Sequence, residues 1–290
     1  HVGEVFRASQ VEMEAGGKGI NVARVCSILG ERVIATGFLG GSAGVFIRRS
    51  ISHYNIVDSF IDIEGETRTS IAIADLKRQT TTEILEKGPN IPCIKQREFI
   101  DNFITLVDQA SIVVLAGSLP MGIDSRFYGR LIDIAKERDK RVILDTSGLA
   151  LKDGIEHIPY MVKPNLAELR AFTGRPLKDM SSIENEAYKI YRSGIELVCI
   201  TLGEDGAIVV CKDGTYRLST PAIEVVNTVG CGDAFVAGCV VGHVRQYSIE
   251  NTLKYAMACG MANTQFSKPG RVDEGLVDKF QREVSIFKTK

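Results

Sequence analysis

The chain has 290 residues, with 35 Lys and Arg against 36 Asp and Glu, for a net charge of −1. That length suits one large α/β domain or two modest ones, and the balanced charge gives no electrostatic case for nucleic acid or an anionic membrane. The longest apolar stretch, Ala234 to Val244, is broken by glycines and is too short to span a bilayer. Seven scattered cysteines without a CxxC pair, and no signal-peptide pattern at the start, fit reduced thiols in a cytoplasmic protein.

In chain order, VGEVFRASQVEME (2–14) is read as one strand of a small sheet. AGGKGINVARVCSILG (15–30) follows as a glycine-rich turn entering an amphipathic helix. TRTSIAIADLKRQTTTEIL (67–85) alternates β-branched and polar residues around a polar turn near Lys77 to Gln79, the pattern of an antiparallel hairpin with one solvated face. From Ser111 onward the apolar runs SIVVLAGS, RVILDTS, YMVKPN, LVCITLG and AIVVCKD alternate with helical segments such as DSRFYGRLIDIAKERD and SIENEAYKIYRSG. Continuous β-rich runs separated by helices predict a doubly wound, mostly parallel sheet covered on both faces. The expectation is a single domain over 1–290 with a small β-sheet lid from about 2–14 and 67–86.

The chain has no GxxxxGK[ST], GxGxxG or HExxH sequence, so any phosphate site must be built differently. NTVGCGDAFVAG (227–238) is the strongest candidate. The apolar stretch after Asp233 predicts a buried helix, whose N-terminus carries unpaired N–H groups and a positive partial charge. Gly230 and Gly232 let those amides converge on an anion. Asp233 beside them could accept a proton from a hydroxyl attacking a phosphoryl group, although an aspartate at a helix start is more often a simple cap. Taken alone, GGKG and TLGEDG read equally as turns, KPNLAEL as a helix start, Arg68 as a surface ion pair and Asn263 as a surface polar residue.

AGGKGINVARV (15–25), GETR (65–68), AGSLP (116–120), KPNLAEL (163–169), TLGEDG (201–206) and NTVGCGD (227–233) occur in that order. Together they resemble the ribokinase-like, phosphofructokinase-B family of sugar kinases over essentially the whole chain. Within it, GGKGINVARV with ETR and GSLP is most similar to the branch holding 1-phosphofructokinase and tagatose-6-phosphate kinase. The resemblance implies a ribokinase-like fold and phosphorylation of a ketohexose monophosphate by ATP with Mg2+. Fructose 1-phosphate stands first as the acceptor, and tagatose 6-phosphate second. It makes Asp233 the catalytic base and puts the amides of Gly230, Cys231 and Gly232 in the anion hole. Lys163, Asn165, Thr201, Gly203, Gly206 and Asn263 fall to ATP, and Glu168 to magnesium through water. Gly16, Gly17, Lys18, Asn21, Arg68 and Ser118 fall to the acceptor, and lid pairing implies a homodimer.

Three further expectations follow. The helix dipole should favour the Asp233 carboxylate, making it a weak base, and should likewise favour a reactive Cys231 thiolate. The family's first strand and its Asn-Pro-x-x-Asp segment have no counterpart here, and His1 is not an initiator methionine, so a trimmed N-terminus is expected. A non-catalytic sugar-phosphate sensor on the same fold is the alternative of a different class. It has no need of the base at Asp233, and a nucleoside kinase has no need of Arg68 and Ser118.

Overall fold

The structure, a computed structural model, describes residue 5, residues 7–75 and residues 80–289. The first part of the chain holds α1 (Lys18–Ile28), β1 (Val33–Ala35), β2 (Phe38–Leu39), α2 (Gly41–Ile51), β3 (Ile56–Asp58), β4 (Ile61–Asp62), β5 (Ser70–Asp75) and β6 (Thr80–Leu85). Then come α3 (Cys93–Gln109), β7 (Ile112–Ala116), α4 (Phe127–Lys136), β8 (Arg141–Asp145), α5 (Gly148–Glu156), β9 (Met161–Val162), α6 (Leu166–Thr173) and α7 (Met180–Arg192). β10 (Leu197–Thr201), β11 (Ala207–Cys211), β12 (Gly214–Ser219), α8 (Cys231–Val244), α9 (Ile249–Asn263), α10 (Glu274–Glu283) and β13 (Ser285–Lys288) complete it.

The main sheet has seven strands in the order β13-β12-β11-β10-β9-β8-β7. β7 to β10 run parallel, and β11 to β13 continue the sheet antiparallel. Successive side chains of a strand point to opposite faces, and both faces are covered. Leu197 and Cys199 of β10 and Val209 of β11 join one core with α1, α8, α9 and α10. Val198, Ile200 and Ile208 join the other, with α3 to α7. This is why the runs read as continuously apolar. Helix α8 is buried from Asp233 to Gly242, as its uniformly apolar sequence requires.

The small sheets are simpler than expected. β5 and β6 form an antiparallel hairpin, with Ile71 opposite Ile84 and Ile73 opposite Thr82; its turn, Lys77 to Gln79, lies outside the described residues. Residues 7–14, expected as a third strand, form none. Val11 and Met13 stand 80% and 72% exposed, so they cover none of the apolar surface that a third strand would bury. β1 pairs only with β3, and β7 only with β8, among the described residues. Between β1 and β7 runs an apolar cavity of about 700 Å3, walled by Val33 to Ala35 on one side and Ile112 to Ala116 on the other. No described helix is long and apolar enough to cross a membrane. All seven cysteines are free, and five of them (Cys26, Cys199, Cys211, Cys239 and Cys259) are buried.

Candidate active site

Helix α8 starts at Gly230, which has φ +84°. The amides of Gly230 and Gly232 carry no hydrogen bond among the described residues, whereas that of Cys231 turns back to the Thr228 carbonyl at 3.3 Å. Two of the three expected anion-binding amides are therefore free, and the third is held in a long turn bond. Asp233 follows in the first helical turn, 7% exposed, and its Oδ2 accepts a hydrogen bond from Asn21 Nδ2 at 2.8 Å.

Burial pushes the Asp233 carboxyl up to about 6, helped by the nearby Asp145 charge and opposed by Asn21, Lys163 and Lys18. The helix dipole does not keep it a weak base, as the sequence had suggested, because losing water outweighs a half-charge at a helix end. Cys231 departs in the same way. Its thiol is pushed up, first by burial and then by Asp233, with Asn263 opposing, so the thiolate is disfavoured.

Lys163 brings the next charge. An added Cβ on Gly232 would lie 3.1 Å from Lys163 Nζ, so only glycine lets the ammonium come this close without displacement. Lys163 is 3% exposed and pairs with Asp145 Oδ1 at 3.3 Å. Lys18 Nζ meets the same oxygen at 2.9 Å and Glu168 Oε1 at 3.5 Å. Burial lowers the Lys18 pKa, but Asp145 and the other acids outweigh it and leave it raised. Asp145 Oδ2 is buried with no partner. Sequence reasoning passed over Asp145; its signal was a carboxylate ending the apolar run RVILD, at the carboxyl end of a parallel strand where ligands bind in α/β sheets.

On the acceptor side, Gly16 and Gly17 lead into α1, placing Lys18 and Asn21 against Asp145 and Asp233. Arg68 Nη1 donates to Ser118 Oγ at 3.0 Å, and no carboxylate pairs with Arg68 among the described residues, so the surface ion pair is not what forms. Gly17, Lys18, Arg68 and Ser118 line one cavity. The loop carrying Ser118 is anchored, since Thr146 Oγ1 and the Tyr128 hydroxyl both donate to the Gly117 carbonyl.

The residues expected at the nucleotide divide. Asn165 and Glu168 form a reciprocal capping box on α6, with both bonds at 2.8 Å. That commits Asn165 Oδ1 and Glu168 Oε2 to the helix start and leaves Glu168 Oε1 facing Lys18. Thr201 ends β10, and Gly203 and Gly206 form a tight turn closed by Leu202 N–H to the Gly206 carbonyl at 2.9 Å. Asn263 is a correction. It is fully buried, donates to the Val229 carbonyl at 2.9 Å, and accepts from the Gly270 and Arg271 amides at 2.9 and 3.3 Å. Its amide is spent bracing the anion-binding turn, so it has nothing left to offer an adenine.

Comparison with known proteins gives this corner its context. Residues 2–272 match the pfkB family of carbohydrate kinases. The chain belongs to that family. It is 37% identical over 286 residues to a tagatose-6-phosphate kinase of Staphylococcus epidermidis, covering 98% of this chain and 92% of the relative. A Thermotoga maritima structure described as a possible 1-phosphofructokinase superposes with a TM-score of 0.91 at 27% identity, over all of this chain and 93% of that one. Phosphofructokinase-2 of Escherichia coli, solved with substrates and products, gives 0.83 at 26% identity, covering 92% and 87%. As a pfkB-family member the chain is a carbohydrate kinase of the ribokinase-like fold, a phosphotransferase acting on a sugar.

Proposed function

We propose that this kinase transfers the terminal phosphoryl group of ATP to a hydroxyl of a ketohexose monophosphate, giving the bisphosphate. The observation that carries the reading is Asp233: a buried carboxyl near a pKa of about 6, bonded to Asn21 of the acceptor loop and flanked by two free helix-end amides and Lys163. A base poised close to neutral pH takes the proton of the attacking hydroxyl as its oxygen bonds to phosphorus and the bond to the departing ADP breaks. The Gly230 and Gly232 amides and Lys163 stabilise the charge on the transferring group. Asp145 holds Lys18 and Lys163 in place. Hard oxygen donors suit magnesium, and Glu168 through water would hold the ion, with Asp145 on the other side of Lys18. When bound, it neutralises phosphate oxygens.

Arg68 with Ser118 supports a phosphorylated acceptor, because a guanidinium free of carboxylates is available to grip a phosphate. The 37% identical relative moves tagatose 6-phosphate ahead of fructose 1-phosphate as the acceptor to test first. A sugar-phosphate sensor would have no use for a buried base near pH 6. A coupled ADP-release assay across tagatose 6-phosphate, fructose 1-phosphate, fructose 6-phosphate and the free sugars tests the reading. Turnover is expected with a monophosphate; equal turnover with free sugars, or none with any of them, would overturn it.

A homodimer through the hairpin belongs to the same proposal. Ile71, Ile73 and Ile84 are each about half exposed, and a lone hairpin is marginal in water.

A further inference from the structure

Arg24 is the cation that this mechanism does not use. It lies on α1, is 2% exposed, and has no ion pair with a carboxylate among the described residues. Leaving a guanidinium buried without an acid is unfavourable unless its donors are all well used. Its donors are spent on two backbone carbonyls: Nη2 bonds Ala15 O at 2.5 Å and Nη1 bonds Pro269 O at 2.9 Å. Ala15 opens the acceptor loop of Gly16, Gly17 and Lys18. Pro269 precedes Gly270, whose amide Asn263 holds and which lies tight against Asn21, so that an added Cβ would sit 2.9 Å from Asn21 Cα. The same two loops are tied a second time nearer the surface, by the ion pair of Glu14 with Lys268.

We infer that Arg24 is a positioning residue, a strut that holds the acceptor loop in register with the Asp233 turn through the Ala15 and Pro269 carbonyls. The inference rests on the proposed function in taking Gly16 to Asn21 as the acceptor loop. It explains why the position carries a planar fork rather than a point charge: one guanidinium presents donors in two fixed directions, whereas an ammonium on a shorter reach cannot span both carbonyls. Arg24 is buried and bonds the two carbonyls, so its effect falls on how the acceptor hydroxyl is aimed at Asp233, where small misplacements are costly in rate.

The test is Arg24→Lys and Arg24→Met in the whole protein, reading kcat and both KM values together with amide hydrogen exchange at Asn21, whose buried N–H bonds the Gly17 carbonyl at 3.0 Å. Arg24→Lys should lower kcat/KM for the sugar phosphate by about tenfold or more, the loss expected of one charge-assisted hydrogen bond. The KM for ATP should stay near wild type, and exchange at Asn21 should quicken while the interior of α9 is unchanged. Arg24→Met should go further in the same direction. A purely structural arginine would lower the melting temperature and leave the kinetics of folded molecules alone; that result, or wild-type exchange in Arg24→Lys, would overturn the inference. If neither variant folds, exchange in the wild type decides, because a loop held by the strut protects the Asn21 amide, and exchange there as fast as in the exposed residues 9–13 refutes it. The exchange measurement needs no substrate, so it stands even if the wild type phosphorylates none of the sugar phosphates.

Discussion

The corner around Asp233 and the hairpin carrying Arg68 are built on opposite plans. At the corner, Asp145, Lys163 and Asp233 are each at least nine-tenths buried, and Asn21, Lys18 and Asn263 bind them or brace the turn beside them. Among the described residues the hairpin pairs only with itself, shows its isoleucines to solvent, and bonds the body of the protein through Arg68 and Ser118. Charges held at fixed distances in a dry site need no rearrangement as a phosphoryl group transfers, whereas regions with few buried contacts open most easily. The proposed function thus puts the chemistry on the densely bonded part and the recognition of the acceptor on the sparsely packed one.

The largest expected effect tests the rigid side. Asp233→Asn should cut kcat by about 10²- to 10⁴-fold, the usual contribution of a general base, while ATP affinity measured by titration stays near wild type. Retaining more than about a tenth of kcat would remove Asp233 from that role. The same substitution should stabilise the fold. An acid whose pKa is raised on folding binds its proton more tightly in the native state, so stability falls as pH rises from the ordinary aspartate value near 4 through about 6. At pH 8 the asparagine variant should therefore be more stable than wild type, by up to roughly 3 kcal/mol, and the gain should vanish at pH 4. A variant that loses activity and melts lower at pH 8 would show that Asp233 is not strained by burial.

The wild-type kcat/KM should climb with pH through an ionisation near 6, as the base of the free enzyme loses its proton. A flat profile from pH 5 to 8 would contradict the buried-base reading.

The recognition side is expected to respond less. Arg68→Ala should raise the KM for the sugar phosphate roughly ten- to a hundredfold and leave the KM for ATP unchanged, with lysine restoring only part. A change confined to ATP would detach Arg68 from the acceptor. Ile71→Ser with Ile84→Ser should convert a dimer into a monomer by light scattering at micromolar concentration; a wild type that is already monomeric would dispose of the hairpin interface.

The smallest effect concerns Cys231. Its thiol should be alkylated more slowly than the exposed Cys93, and more slowly still with MgATP present. Faster labelling than Cys93 would mean that the helix end, not burial, sets its chemistry.

Much of the rigid side was legible in the sequence. Strands buried on both faces must read as unbroken apolar runs, and a helix buried all round must be apolar all round, so β8, β10, β11 and α8 announced themselves. Asp233 stood out not as an acid at a helix start, where a cap is the commoner reading, but because Gly230 and Gly232 before it and the apolar helix after it set it beside converging amides. What could not be read depends on distances across the chain. Asp145 acts by meeting Lys18 and Lys163, which are 127 residues before it and 18 after it in sequence, and only the closed sheet brings the three together. The ionisation of Asp233 and Cys231 was misjudged because a local feature, the helix dipole, is visible in sequence, whereas the depth of burial that outweighs it is not. Asn263 looked like a surface amide because nothing local shows that α9 ends inside the protein. Residues 7–14 read as a strand from the sequence but form none, because whether their apolar side chains find a surface to cover is not visible locally.

The slot between β1 and β7 is a seam between two parts of the sheet system. Among the described residues β1 and β7 each pair on one side only, and the trough between them is walled by apolar side chains. One extended apolar segment lying there would bond to both edges and bury its side chains at the same time, making a single surface of the β1–β3 pair and the main sheet.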